Sequence, residues 1–324
     1  MEKVLKIFSS KKLPGNIYQE LSKKGFEINI WEKEKDISRE ELIEACKNVD
    51  ILIYASYLNL DKEILDKLKT VKLICLYSVG FNHVDIAYAN SIGKRITNTP
   101  EVLSKATADT AFLLMLATSR KAFYLANTIR TGDWGSFNPS ANLGQELEGK
   151  TLGIIGLGKI GYFMAQRCRD AFGMRIVYHN RSINNKAEKD LDAQYHSLDE
   201  LYAQSDVISI HTDLNPSTKH LINMDAFKKM KKNLILVNTA RGEVIHQEDL
   251  VEALEQNLIW GAGLDVTTPE PLPSNHELLN FPQVCILPHI GSATKETREA
   301  MSKLIMQNIL AYVENKDLIT EVKI

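Results

Sequence analysis

Cysteine is scarce in this chain, and its placing excludes two common uses. Cys46, Cys75, Cys168 and Cys285 are widely scattered, with no CxxC pair and no metal-ligand spacing. Neither a disulfide framework nor a metal site is expected from such a pattern. Long apolar runs are missing too: the strongest, AFLLMLA at 111–117, is far short of the roughly 20 residues that cross a bilayer. The opening MEKVLKIFSSKK is apolar only over a strand's length and lacks the long apolar stretch of a signal peptide, so a cytoplasmic protein that enters no membrane is expected. Surplus charge is also absent. Lys and Arg number 39 against 41 Asp and Glu, a formal net charge of -2, which provides no general field for nucleic acid.

What is present is enough apolar sequence to bury a core, 44% hydrophobic against 25% charged. A length of 324 residues suggests two packed units. Short apolar runs alternate with amphipathic ones: VLKIF, a stretch after Pro14, FEINIW, REELIEAC, DILIY, KEILDKL and VKLICLY. That alternation marks βαβ units around a mainly parallel sheet. A second series, TLGIIG, MRIVY, DVISIH, NLILVNT, GAGLDV and VCILPH, is rich in Ile, Val and Leu, as strands covered on both faces should be. Between the series, 107–130 has the length and spacing of one long helix, and the segment after Gly291 has the same character. Two such helices near the ends of the second unit suggest that the chain returns to its first domain. The clearest loop is GDWGSFNPSANLG at 132–144.

GLGKIG at 156–161 follows a predicted strand and opens a predicted helix. Gly156 permits a tight turn, Gly158 lets the backbone approach a pyrophosphate, and Gly161 allows close helix–strand packing; with Leu157, Lys159 and Ile160 they form a candidate dinucleotide-binding turn. An Asp or Glu that binds both ribose hydroxyls of NAD is expected at the end of the next strand. His179 stands there instead, followed by Asn180, Arg181 and Ser182. The run lacks the carboxylate that would repel a 2′-phosphate and offers Arg181 for charge-assisted hydrogen bonds, with Asn180 and Ser182 as neutral donors. NADP(H) is therefore the expected cofactor, with NAD(H) also possible in principle.

In an open parallel sheet the ligand crevice lies beyond the carboxyl ends of the strands. Reading the residues just after each apolar run gives His211, then 238–241 ending in Arg241, then Asp265 and His289, with Glu270 in the Pro-flanked loop TTPEPLP. Hydride transfer to a 2-oxo acid needs a cation to hold carboxylate and carbonyl, an acid to protonate the developing alkoxide, and a group to orient that acid. Arg241, His289 and Glu270 can fill those roles. His211, Thr239, Ala240 and Gly291, at the same strand ends, join the candidate cofactor-binding set.

GLGKIG, VNTARGEVI (237–245), GAGLDVTTPEPLP (261–273) and LPHIGSAT (287–294) together resemble the signature segments of the D-isomer-specific 2-hydroxyacid dehydrogenases, especially their glyoxylate and hydroxypyruvate reductase branch. The resemblance runs over nearly the whole chain. It implies two Rossmann-like parallel-sheet domains, one flavodoxin-like and one doubly wound: a discontinuous substrate-binding domain of 1–100 plus 292–324, and an NAD(P)-binding domain of 101–291. It further implies that Arg241 binds substrate, that Glu270 pairs with His289 as general acid or base, and that Asp265 holds the nicotinamide carboxamide while Thr107 lines the cofactor. LYSVGFNHVD (76–85) resembles the family's substrate loop, where Ser78, Val79 and Gly80 would receive the substrate carboxylate on backbone amides. A homodimer is likewise implied, with the 107–130 helix as its candidate surface.

Two departures bear on specificity. The loop before the coenzyme domain carries Trp134 and then Phe137 where the family often has two tryptophans, and Asn82 and His83 stand where it often has Asp and Asn. The resemblance implies reduction of glyoxylate or hydroxypyruvate to the D-2-hydroxy acid, with a 2-oxo sugar acid (2-oxogluconate) reductase or a D-lactate-type dehydrogenase as alternatives. A nucleotide-sensing corepressor-like protein on the same fold would favour long charged extensions, which the chain lacks. A formate dehydrogenase would have glutamine where Pro288 stands. A phosphoglycerate dehydrogenase would often carry a further domain, for which no residues remain after Ile324.

Overall fold

The computed structural model describes residues 4–323. Its first stretch alternates strictly: β1 (Lys6–Ser9), α1 (Ile17–Lys23), β2 (Glu27–Ile30), α2 (Arg39–Ala45), β3 (Ile51–Tyr54), α3 (Lys62–Lys67), β4 (Leu73–Leu76), α4 (Ile86–Ser91) and β5 (Arg95–Thr97). Two helices follow, α5 (Ser104–Ser119) and α6 (Ala122–Thr131). Next come β6 (Thr151–Ile155), α7 (Lys159–Phe172), β7 (Arg175–His179), α8 (Asn185–Leu191), β8 (Gln194–Tyr195), α9 (Leu198–Gln204) and β9 (Val207–Ile210). The chain ends with α10 (Met224–Phe227), β10 (Ile235–Asn238), α11 (Gln247–Glu255), β11 (Gly261–Leu264), β12 (Val284–Ile286) and α12 (Lys295–Val313).

These elements form two compact units: one comprises the described residues up to Leu103 together with those from Ser292 on, and the other is Ser104–Gly291. The first unit is a five-stranded sheet in the order β2-β1-β3-β4-β5, and the second a seven-stranded sheet in the order β12-β11-β10-β9-β6-β7-β8. Every named strand pair is parallel. The two orders are those of a flavodoxin-like and a doubly wound sheet. Sequence explains the centre of each: β3, β4, β6, β9 and β10 are mainly apolar runs buried along their whole length, as strands covered by helices on both faces must be. β5 and β8 have three and two residues, too short to leave a periodic signal, and neither was read in the sequence.

The helices begin where local chemistry starts them. Ser38 and Glu41 close a capping box on α2, and Ser197 and Glu200 close another on α9, satisfying N–H groups that a helix leaves orphaned. α7 ends on Gly173 in the left-handed conformation. The single helix expected over 107–130 is instead two, parted at Arg120 and Lys121, the latter with φ 54°. The Ser119 carbonyl accepts the Gln145 N–H at 2.8 Å, so the returning chain takes an acceptor that a continuing helix would have used. α5 packs on β10, β11, β12 and α7, whereas α6 buries no residue.

Within the first unit, α12 packs on β4 and α1, and the chain beyond it lies along β5. Val322 N–H donates to the Ile96 carbonyl at 2.9 Å, and Arg95 grips Glu321 through two guanidinium N–H groups at 2.6 and 3.0 Å. That grip holds the Glu321 carboxyl at about 2, against an ordinary 4.5. A depressed carboxyl pKa contributes stability that is complete above the unfolded value and is lost as pH falls through the folded one. We expect Glu321→Gln to lower the thermal midpoint at neutral pH by about 2–4 °C, for a partly buried pair contributing about 1 kcal/mol. The difference should shrink as pH falls below 4.5 towards 2; circular-dichroism melts across that range check it, and a pH-independent difference would refute it.

Candidate active site

In the seven-stranded sheet the strand order reverses between β6 and β9, which makes the carboxyl ends of those strands the expected crevice. The glycine-rich turn occupies that point. Gly156 has φ 92°, and a Cβ there would stand 2.6 Å from the Thr212 nitrogen, so both conformation and space demand glycine. A Cβ on Gly161 would meet the Gly156 carbonyl at 2.7 Å. Gly158 differs: nothing lies within 4 Å of its would-be Cβ. The turn is thus closed on its protein side and open at the head of α7, the form a pyrophosphate-binding turn requires. Lys159 is exposed, Ile160 half-buried and Leu157 buried.

Two asparagines brace this turn. Asn180 Oδ1 accepts the Leu157 N–H at 2.6 Å, while Asn180 and Asn184 both donate to the Leu157 carbonyl, at 3.3 and 2.8 Å. The sequence reading offered Asn180 as a neutral donor to a 2′-phosphate; in the structure its side chain hydrogen-bonds the turn. Asn184 was missed, for nothing in its spacing marks a long-range partner. His179, the last residue of β7, places Nδ1 2.9 Å from the His196 carbonyl. Arg181 and Ser182 are exposed.

At the neighbouring strand ends, His211 has Nε2 2.8 Å from the Ser209 hydroxyl and Nδ1 3.4 Å from that of Thr239. Withdrawal of the ring from water pushes its pKa down to about 3, so it is a neutral imidazole at physiological pH. Asn238, fully buried, locks the next turn from both sides. Its Oδ1 accepts the Ala240 N–H at 2.9 Å and its amide donates to the Arg241 carbonyl at 2.8 Å. Gly242 then presses against the chain before Glu270, where a Cβ would meet the Thr267 carbonyl oxygen at 2.1 Å. Gln247 clamps the same strand of chain, donating to the Thr268 carbonyl at 2.5 Å and accepting its N–H at 2.8 Å. Gly242 and Gln247 carry no chemistry of their own, which is why sequence reasoning passed over them.

The Glu270–His289 pair is assembled from two loops after β11 and β12. Glu270 Oε1 accepts the Thr267 N–H at 3.1 Å, leaving Oε2 2.8 Å from His289 Nδ1. A carboxylate only accepts, so Nδ1 is the donor. His289 has φ 53°, a left-handed backbone that costs a non-glycine residue roughly 1–2 kcal/mol. What holds it there is Asp265: its two oxygens accept the Ile290 and Gly291 N–H groups at 2.8 and 2.7 Å. Burial pushes the Asp265 carboxyl above its ordinary value, and those two amides oppose the rise. Thr107 is buried beside them, its methyl 3.3 Å from where a Gly291 Cβ would be.

The substrate-loop candidates lie in the first unit, after β4. The Ser78 carbonyl accepts the Thr99 N–H at 2.8 Å and the Val79 carbonyl accepts the Asn98 amide at 2.8 Å. The Ser78 hydroxyl donates to the Gly80 carbonyl at 2.7 Å. The N–H groups of Val79 and Gly80 donate to nothing among the described residues. His83 is half-buried with its ring stacked on Tyr54, centroids 5.9 Å apart. Trp134 and Phe137 are 77% and 92% exposed.

Gly156 and Gly158 make a discriminating pair. Gly156→Ala should destabilise the protein by about 2 kcal/mol or more, through the left-handed φ and the backbone overlap. Gly158→Ala should leave unfolding within about 0.5 kcal/mol of the parent yet weaken dinucleotide binding, because its methyl enters the open side of the turn. Denaturant unfolding and nucleotide titration check both, and equal stability losses would refute the distinction.

A family model described as "D-isomer specific 2-hydroxyacid dehydrogenase, NAD binding domain" matches residues 112–291. The chain is 40% identical over 311 residues to a glyoxylate reductase of Pyrococcus furiosus, covering 95% of this chain and 92% of that protein. Among solved structures, a glyoxylate reductase from Paecilomyes thermophila is 36% identical with a TM-score of 0.88, covering 98% of each chain. An NADPH-dependent glyoxylate/hydroxypyruvate reductase from Sinorhizobium meliloti, solved with NADP and malonate, is 30% identical with a TM-score of 0.86, covering 99% of this chain and 97% of that one. With an open glycine-rich turn and the Glu270–His289 pair among the same strand ends, the chain belongs to the D-isomer-specific 2-hydroxyacid dehydrogenases, enzymes that use a nicotinamide cofactor.

Proposed function

We propose that this enzyme reduces glyoxylate or hydroxypyruvate to the corresponding D-2-hydroxy acid and prefers NADPH to NADH. The observation that carries the proposal is the 2.8 Å contact between Glu270 Oε2 and His289 Nδ1, in the same unit as the braced Arg241 turn. A bound reduced nicotinamide supplies the hydride. Glu270 keeps Nδ1 of His289 as a donor, so the ring delivers a proton from Nε2 to the substrate's carbonyl oxygen and retains the hydrogen on Nδ1. Arg241, extended at φ -146° and ψ 143°, holds the substrate's oxygens with a planar guanidinium, which fixes their orientation as a lysine could not. For Val79 and Gly80 the support is the family resemblance together with their undonated amides. Asp265 and Thr107 line the nicotinamide end, and Gly156, Gly158 and Lys159 hold the phosphates.

The preference for NADPH rests on Arg181 and on the absence of a carboxylate at the end of β7. The Sinorhizobium relative, solved with NADP, supports it. Free, buried thiols at all four cysteines fit a reducing, cytoplasmic setting. Among the described residues no helix is long and apolar enough to cross a membrane.

Initial rates on glyoxylate, hydroxypyruvate, pyruvate and 2-oxogluconate, each with NADPH and NADH, test the proposal. Turnover should be fastest for the first two with NADPH, and His289→Ala should reduce kcat by about 10²–10⁴ while nucleotide affinity is kept. Faster turnover of 2-oxogluconate or pyruvate would reassign the substrate, and near-normal turnover by His289→Ala would remove His289 from the chemistry. We also propose a homodimer through α6 and the 132–144 loop, where Tyr124, Ile129, Trp134, Phe137 and Leu143 are exposed. Sedimentation should give twice the 36.5 kDa chain mass and Ile129→Glu should shift it towards the monomer; a parent that sediments as a monomer would refute this.

A further inference from the structure

We infer that His179 distinguishes the two nicotinamide cofactors by taking up a proton: binding NADPH protonates its Nε2, and binding NADH does not. The inference rests on the reading above that the 179–182 loop accepts a 2′-phosphate.

The argument starts from a tautomer. His179 Nδ1 lies 2.9 Å from the His196 carbonyl oxygen, which can only accept, so Nδ1 carries the hydrogen. In the neutral ring Nε2 then has only a lone pair to offer. Nε2 makes no hydrogen bond among the described residues, and it is not among their buried unpartnered atoms, so it is open to a ligand. His179 is also placed at the crevice: it pairs in register with Ile155, and its carbonyl accepts the Gly156 N–H at 3.0 Å. The Asn180 amide beside it is hydrogen-bonded to Leu157 as both acceptor and donor.

The two cofactors present opposite chemistry to that lone pair. A ribose 2′-hydroxyl can donate to Nε2, replacing the carboxylate that usually ends this strand. A fully ionised 2′-phosphate has only acceptor oxygens, so it faces Nε2 favourably only when the ring gains a proton and becomes a donor. Imidazole is the side chain that gains this proton most readily near neutral pH. The proton comes from solvent on NADPH binding and returns to it on release. The fixed charge at the site is Arg181, exposed and without a hydrogen bond among the described residues.

The elements packed against β7 are β6, β8, α7 and α9. Their titratable or charged groups nearest this end are Lys159 at the head of α7, Tyr195 with its ring 5.7 Å from that of His179, and His196 beside Glu200 at 3.8 Å. Lys159 and Arg181 raise the positive field whichever nucleotide binds, so they add affinity for phosphate without distinguishing a bound proton from none.

Isothermal titration of the whole protein with NADPH and with NADH, repeated in buffers of different ionisation heat, counts the protons directly. At about pH 8 a phosphate monoester with a second pKa near 6 is already ionised, so net uptake reports the protein. We expect a measurable fraction of a proton taken up with NADPH and none with NADH. From pH 7 to 8 the NADPH Kd should rise by up to about tenfold while that for NADH stays level. His179→Gln, which has no titratable ring, should abolish the uptake on NADPH binding; Arg181→Ala should weaken NADPH while keeping the uptake. If His179→Gln does not fold, the contrast between the two nucleotides on the parent protein decides alone. NADPH binding more tightly than NADH with no uptake, or equal uptake for both, would overturn the role of His179 and leave the NADPH preference standing. NADPH binding no more tightly than NADH would overturn the preference itself.

Discussion

The site depends on one buried carboxylate. Asp265, 2% exposed at the end of β11, would be costly to bury without partners, and the N–H groups of Ile290 and Gly291 meet its two oxygens. Charge-assisted hydrogen bonds of this kind are about twice as strong as neutral ones, enough to hold the preceding residue, His289, in a left-handed backbone. From that backbone the imidazole reaches Glu270, itself fixed by the Thr267 amide. Without Asp265 the loop would lose both the reason for its conformation and the position of its acid.

The same economy recurs at each strand end. Asn238 locks the Arg241 turn by giving and accepting one hydrogen bond each, and Gln247 does likewise with Thr268. Asn180 and Asn184 fix the glycine turn through Leu157. In every case a primary amide meets backbone groups of a turn, since it carries a donor and an acceptor on adjacent atoms. Glycine completes the arrangement where two backbones touch, at Gly156 against Thr212 and at Gly242 against Thr267.

The parallel sheet explains why this machinery collects where it does. All strands of the second unit run the same way, so all their carboxyl ends lie along one edge. The first unit repeats the rule on a smaller sheet, with residues 78–80 directly after β4. The glycine turn, the amide locks and the Glu270–His289 pair gather along that common edge, and the chain's family is one of 2-oxo acid reductases.

Much of this was legible in one dimension. The runs that became β6, β9 and β10 are mainly apolar, and strand period plus glycine spacing locate the glycine-rich turn because those signals are local. Arg241, Glu270 and His289 could be named by type and by position after strands. Other features depend on partners distant in sequence. β5 and β8 exist only as edges to longer neighbours, the break at Lys121 comes from chain returning at Gln145, and the Asn180 side chain turned inward because the Leu157 backbone needed it. Sequence by itself determined which groups would stand at the strand ends, since that follows from apolar patterning. Only the tertiary structure decided which of them pair with one another and which are held by the backbone, because hydrogen-bond partners are assigned by distance in space.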